Sequence, residues 1–425
     1  MNLWTRWRNG STAERVVRTT ESLLSEKGES NARSMAMKLI AQFEGLDAEG
    51  QLQVFDRWAS LLSPDPALVM EAARNYQDHP DADRLLALFR TVEPARQELF
   101  RRINRAPGGT EAIVRMRERL LKHLSARPQL QAVDADLEHL LSSWFNPGFL
   151  ELHEITWSSP ALLLEKIIAH ESVHAIDGWD DLRRRLQPDR RCFAFFHPQL
   201  PNEPLIFVEV ALLPSIPAAV GPLLDKRSQP LDAKQFKAAI FYSISNCQPG
   251  LRGVSMGNFL IKRVADRIAD EIPTVKTFCT LSPIPGFMRW VATGAPVDAE
   301  VSPARRRKID AVRERLGVGD SPMPAHAPAT PPAEAQRDDW LALCFIYLTQ
   351  VVHQRHGDPV ARFHLSNGAT LHGIHWDADR SGKGRQQSAG MMVNYLYELD
   401  KVEDHHEAFV NRQVVYSKRL DKLLG

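Results

Sequence analysis

The chain is short of cysteine, balanced in charge and free of long apolar runs, and each shortage removes a class of protein. Its four cysteines (Cys192, Cys247, Cys279, Cys344) lie far apart in 425 residues and form no Cys-x-x-Cys pair. A disulfide framework is therefore excluded, and three of the four sit inside apolar runs, where buried free thiols in a reducing compartment are expected. No run reaches the roughly 18 apolar residues that a spanning helix needs, so no membrane partner is expected. The formal charge is +1, from 53 Lys and Arg against 52 Asp and Glu. Such a balance gives no field to draw in nucleic acid or an anionic surface. Local clusters such as Arg183-Arg184-Arg185 and Arg305-Arg306-Arg307-Lys308 read as solvated helix faces. The Arg-rich N-terminus lacks the apolar stretch of a secretion signal, and Lys-Leu-Leu-Gly at the C-terminus is no peroxisomal signal. A cytoplasmic protein is the expectation.

What is present is an ordinary globular composition, 44% apolar and 25% charged, in a chain long enough for two domains. Residues 1–150 are helical in pattern, in about six segments such as AERVVRTTESLLSEK, DADRLLALFRTV and TEAIVRMRERLLKHL. They are separated by turn chemistry at Gly45, Pro64-Asp65-Pro66, Pro80, Pro107-Gly108-Gly109 and Asn146-Pro147-Gly148. No catalytic residue types cluster there, so scaffolding or oligomer contacts are its expected work. From residue 151 the grammar changes. Ser159-Pro160 opens a helix with a cap and an N1 proline, and a second helix covers Asp180 to Leu186. Cys192–Phe196 and Leu205–Leu213 then read as buried strands. Residues 294–337 form a Pro- and Ala-rich surface excursion. A helix follows from Asp338, and after Pro359 an extended stretch carries His364, Asn367, Gly368, His372 and His375. The class is α+β.

The most informative stretch is Ala238–Trp290: strand, Gly-containing turn, amphipathic helix, second strand, then a Ser-Pro-Ile-Pro-Gly corner. Leu260, Ile261, Val264, Ala265 and Ile268 share one helical face. Ahead of them, Arg252-Gly253-Val254-Ser255-Met256-Gly257-Asn258 turns the chain into a helix N-terminus. Unpaired N–H groups and the positive end of the helix dipole make such a corner a phosphate cradle.

Arg252-x-x-x-x-Gly257 opening a helix after a strand resembles the coenzyme A pyrophosphate loop of GNAT-type acyltransferases. Ser255 stands where that superfamily places its first Gly, which argues against an ordinary acetyltransferase. The segments Cys279-Thr280-Leu281-Ser282-Pro283-Ile284-Pro285-Gly286-Phe287 and Phe363-His364-Leu365-Ser366-Asn367-Gly368-Ala369 resemble the malonyl-CoA decarboxylase family. The likeness runs from about Pro94 onward. It implies a helical domain over 1–150 followed by a GNAT-like mixed α/β catalytic domain over 151–425. It also implies conversion of malonyl-CoA to acetyl-CoA and carbon dioxide without cofactor, coenzyme A being part of the substrate, in a homotetramer or dimer.

By the same resemblance, Ser282 binds and orients the malonyl group and acts formally as proton acceptor, while His364 protonates the enolate. Arg252, Gly253, Val254, Ser255, Met256, Gly257 and Asn258 would hold the pyrophosphate, with Asn394 and Tyr397 near the acyl group. The residues themselves speak more quietly. Ser282 ends a strand just before a proline that keeps it extended, where ligand crevices open in such sheets. His364, between Phe363 and Leu365, also fits a satisfied core histidine.

Two other readings are open. An N-acyltransferase would use the same loop but needs an amine acceptor. A non-catalytic coenzyme A-binding regulator would need neither Ser282 nor His364. His170-Glu171-Ser172-Val173-His174 spells the zinc-protease pattern HExxH. No third ligand follows at the required spacing, and Gly178 interrupts the helix it would need, so no metal is expected. The pairs His405-His406 and His353/His356 read as solvated surface.

Overall fold

A computed structural model describes residues 3–25, 31–254, 260–297, 303–317 and 334–424. The chain divides into two compact units. The first comprises Met1–Glu151 with Phe196–Leu205 and the described part of Cys247–Met256; the second holds the remainder.

Among the described residues, eight α-helices make up most of the first unit: α1 (Leu3–Leu24), α2 (Ala32–Glu44), α3 (Ala48–Leu61), α4 (Pro66–Asp78), α5 (Ala82–Val92), α6 (Ala95–Asn104), α7 (Gly109–Leu121) and α8 (Gln131–Trp144). That is two more than the sequence pattern suggested. The additions, α3 and α4, begin at aspartate caps: Asp47 accepts from Gly50 N–H, and Asp65 accepts from Ala67 N–H with Pro66 in the first turn. Pro64-Asp65-Pro66 thus ends one helix and starts the next. The core is aromatic, with Phe43, Phe55, Trp58 and Phe100 in edge and stacked contact at 5.3–5.8 Å between ring centres. Such pairs add about 0.5–1.5 kcal/mol beyond area burial.

The second unit is built on a seven-stranded sheet of order β1-β2-β3-β4-β5-β7-β6. Its strands are β1 (Glu151–Ile155), β2 (Arg190–Phe196), β3 (Ile206–Leu213), β4 (Ala238–Asn246), β5 (Thr277–Thr280), β6 (Thr370–His375) and β7 (Met392–Tyr397). Around it run α9 (Ala161–His170), α10 (Gly178–Arg185), α11 (Leu260–Glu271), α12 (Phe287–Ala292), α13 (Pro303–Arg315), α14 (Arg337–Ile346), α15 (Pro359–Ser366), α16 (Gly382–Ser388) and α17 (Val402–Val410). The apolar face foreseen for α11 is the face it buries. Pro160 occupies the N-cap of α9 instead of its first turn, and Ser159 accepts from Thr156 N–H.

Two features position the site. β4 and β5 are parallel and pair from Ala238↔Thr277 to Phe241↔Thr280, and among the described residues no strand pairs with β4 on that side from Tyr242 to Asn246. Beyond β5, Ser282 bridges to Val393 of β7, each N–H donating to the other's carbonyl.

Three expectations need correction. The stretch after Pro359 is helical through Ser366: Asp358 caps it, accepting from Val360 and Ala361 N–H with Pro359 in the first turn. His364 therefore sits on a helix. The excursion at 294–337 contains the helix α13, tied down by Arg313 donating to Gly294 O and by an Arg315–Asp339 ion pair. His353, His405 and His406 are half-buried, not solvated. His353 packs against Phe409 with the rings tilted, and His406 shares a hydrogen bond with Ser366 O.

Candidate active site

Ser282 and His364 meet. Ser282 Oγ lies 3.0 Å from His364 Nε2 and donates to Thr280 Oγ1 at 2.9 Å. On the other side of the ring, Nδ1 is 2.9 Å from the Tyr397 hydroxyl. With the serine hydrogen committed to Thr280, Nε2 is the nitrogen that donates to Ser282, and Nδ1 accepts from Tyr397. The chain of donors then runs one way, from Tyr397 through His364 and Ser282 to Thr280. Tyr395 N–H also donates to Thr280 Oγ1, and the Tyr395 ring stacks on the imidazole at 4.7 Å.

The pair is deeply set. Ser282 is 5% exposed and His364 3%. Burial alone pushes the imidazole down to about 3, because no charge near it favours the cation. The Tyr397 hydroxyl is held well above its ordinary range for the same reason.

Asp358 joins the two halves of this arrangement. Its Oδ2 accepts from Gly286 N–H in the corner after Ser282, while Oδ1 caps the helix of His364. Burial pushes its carboxyl up to about 6 against those three hydrogen bonds.

A cavity of about 370 Å³ opens onto the pair, lined also by Phe241, Ser243, Asn246, Pro283, Val360 and Phe363. Val173 and Ile206 contribute to its wall. No Lys or Arg is among the lining residues. The described lining therefore offers an acyl group apolar contact and the hydrogen-bonding side chains of Ser243, Asn246, Ser282 and His364.

Other foreseen residues fall elsewhere. Tyr397 sits behind His364 and not in the cavity lining, as does Asn394, which donates to Thr280 O and bonds His375 Nε2 through its carbonyl. Arg252, Gly253 and Val254 belong to the helical unit. Gly253 adopts a φ of +85°, a conformation that glycine takes at little cost. The buried Arg117 guanidinium donates to Gly250 O and Arg252 O, which fixes the path of this turn. Ser255, Met256, Gly257 and Asn258 lie outside the described residues.

The HExxH residues adopt no zinc geometry. α9 ends at His170, so the two imidazoles do not share a helical face, and Glu171 spends its carboxylate on Val173 N–H, His174 N–H and the Ser243 hydroxyl. The residues missed by sequence reasoning were Thr280, Asp358, Glu171 and Ser243. Only Asp358 left a signal, the Asp-Pro that opens a helix.

Comparison with known proteins places the chain. Residues 148–425 match the model of the malonyl-CoA decarboxylase C-terminal domain, and residues 62–145 match that of its N-terminal domain. The crystal structure of malonyl-CoA decarboxylase from Rhodopseudomonas palustris is similar, with 44% identity and a TM-score of 0.85, covering 96% of this chain and 99% of that one. The Agrobacterium vitis protein of the same name gives 42% and 0.83, covering 97% and 100%. The mitochondrial malonyl-CoA decarboxylase of Anser anser anser is 32% identical over 437 residues, covering 95% of this chain and 86% of that protein. A helical region followed by a mixed α/β sheet domain is the architecture, as the sequence led one to expect. The chain belongs to the malonyl-CoA decarboxylase family.

Proposed function

We propose that this protein decarboxylates malonyl-CoA to acetyl-CoA and carbon dioxide, with Ser282 and His364 handling the acyl group. The observation that carries the reading is the 3.0 Å contact between two buried polar side chains that line one cavity with Phe241, Val360 and Phe363. The bond between the carboxylate carbon and the α-carbon breaks, carbon dioxide leaves, and the electron pair passes to the thioester carbonyl as an enolate. The α-carbon then takes a proton, so each turnover consumes one.

An apolar wall favours the first step, since removing the carboxylate from water raises its energy relative to neutral carbon dioxide. Ser282 Oγ–H can turn from Thr280 towards the thioester oxygen as charge develops there. Ser282 is the formal proton acceptor and orienting group, and His364 Nε2 delivers the proton to the enolate.

The charge state of His364 follows the substrate. The malonyl carboxylate would favour the imidazolium and so oppose the effect of burial on the ring. The proton donor is armed only when there is an anion to serve.

In this reading the Arg252–Asn258 loop holds the coenzyme A pyrophosphate through backbone N–H groups. No metal or organic cofactor takes part, the protein is cytoplasmic, and the helical domain mediates a homotetramer or dimer.

The test is direct. The purified protein is incubated with malonyl-CoA alone, without acceptor or added metal, and the thioesters are followed by mass spectrometry. Acetyl-CoA should appear with carbon dioxide and vanish in Ser282→Ala and His364→Ala proteins that still bind coenzyme A. Persistence of malonyl-CoA would refute the reading and direct the search to amine acceptors with acetyl-CoA.

A further inference from the structure

The segment that spells HExxH has a different use. It leaves α9 at His170 and folds into a turn whose third residue, Val173, lines the same cavity as His364. Few short turns are tied down so heavily. Glu171 Oε1 accepts from the N–H groups of Val173 and His174, both at 2.7 Å. The same carboxylate accepts from the Ser243 hydroxyl of β4 at 2.7–2.8 Å. Ser172 N–H donates to Ser245 Oγ at 3.1 Å. The Lys383 ammonium, from α16, donates to the carbonyls of both Ser172 and Val173. Glu171 is 8% exposed and Ser243 2%.

A surface turn needs none of this, because water would satisfy its backbone. Charge-assisted hydrogen bonds to a buried carboxylate are about twice as strong as neutral ones and fix geometry. Here they hold a small branched side chain against a cavity that is otherwise shaped by rigid elements. Pro359, Val360 and Phe363 come from the first turns of α15, and Phe241 from β4.

We propose that Val173 sets the acyl-chain limit of the cavity and that Glu171 is the positioning residue that holds Val173 in place. This rests on the decarboxylase reading of the site and deepens it. The substrate class admitted is a short malonyl thioester. Bulk on the α-carbon is refused by the Val173 methyl groups, which cannot retreat while the turn is clamped. Glu171 takes no proton and touches no substrate; it acts as a hydrogen-bond acceptor for the turn.

The test compares kcat/KM for malonyl-CoA and ethylmalonyl-CoA in wild type, Val173→Ala, Glu171→Ala and Glu171→Gln. One methylene in an apolar pocket discriminates by about tenfold or more, so Val173→Ala should raise the ethylmalonyl-to-malonyl ratio about tenfold. Glu171→Ala should move the ratio the same way. Glu171→Gln keeps a carbonyl oxygen for the two N–H groups and should stay within roughly twofold of wild type. An unchanged ratio in Val173→Ala would overturn the proposal. So would a Glu171→Gln protein that loses turnover as fully as Glu171→Ala at an unaltered ratio, since that would make the carboxylate charge the working feature. If Glu171→Ala does not fold, the other two variants decide the matter. A wild-type protein inert towards malonyl-CoA would instead sink the decarboxylase reading. Competition binding of acetyl-CoA against butyryl-CoA to wild type and Val173→Ala would then still report on the wall, with relief of discrimination expected and equal discrimination refuting it.

Discussion

Asp358 accepts a hydrogen bond from Gly286 N–H at 2.9 Å, and through it the corner that follows Ser282 is fastened to the helix that carries His364. The two reacting side chains are far apart in sequence, so this carboxylate is what gives them a common frame. Asp358→Asn should turn an amide N–H onto Gly286 N–H and lose that bond while keeping the cap. Loss of about 1–2 kcal/mol of stability is expected, the scale of a cap or a buried unsatisfied donor. Turnover should fall on the order of tenfold or more through misplacement of the pair. Denaturant unfolding and steady-state kinetics read the two effects; an unaltered kcat would show that the link does not align the site.

Stability should depend on pH through two buried groups of opposite sign. The Asp358 carboxyl is raised from 3.8 to about 6, so its contribution is full below 3.8 and lost as pH rises through about 6. His364 is lowered from 6.5 to about 3, so its contribution is full above 6.5 and drains away as pH falls towards 3. His364→Ala should therefore lose less stability than wild type between pH 6.5 and 4, whatever its stability at pH 7. Unfolding midpoints across that window check this, and parallel curves would refute the burial of a neutral imidazole.

The corner itself admits no side chain at Gly286. A Cβ there would lie 2.2 Å from the Tyr347 hydroxyl and 3.2 Å from Asp358 Oδ2. Gly286→Ala should cost about 1–3 kcal/mol, as overpacking does. Adding Tyr347→Phe should recover part of the loss, although it forfeits the hydrogen bond to His356 O. A double-mutant cycle measures the coupling. Additive losses would mean that the corner moves as a whole and the hydroxyl is not the obstacle.

Tyr397→Phe removes the partner of His364 Nδ1 and leaves a buried ring nitrogen unpaired. The expectation is a fall in kcat of about 10- to 100-fold, within the range of acid–base assistance, with KM for malonyl-CoA little changed. A rise in KM at constant kcat would instead make Tyr397 a substrate contact.

Much of this was legible in the sequence, for identifiable reasons. The α11 face and the β4 run announce themselves by period, and the Ser282 corner by its prolines. Pro359 stands ahead of a stretch that reads as extended and is helical. Preceded by an aspartate, it is a helix starter, and the same misreading hid α4 behind Asp65-Pro66. Apart from the Asp358 cap, the partners of the site left no local pattern. Thr280 and Glu171 meet their contacts through the packing of distant segments, which no spacing rule encodes, and Tyr397 came through likeness to the family. The pairing of Ser282 with His364 came through likeness to a family, not from the residues alone.

The route from Ser282 to Asp358 passes through the excursion that contains α13 and then through α14 to Tyr347, which meets the corner at Gly286. The corner is bonded to Val393 and Asp358, and the helix of His364 to its own cap. Closing a loop grows costlier only slowly, about 0.6 kcal/mol for each doubling of its length. The excursion is therefore a place where chain can be added or removed at small thermodynamic cost, a natural insertion point in a molecule whose chemistry is indifferent to the length of its longest detour.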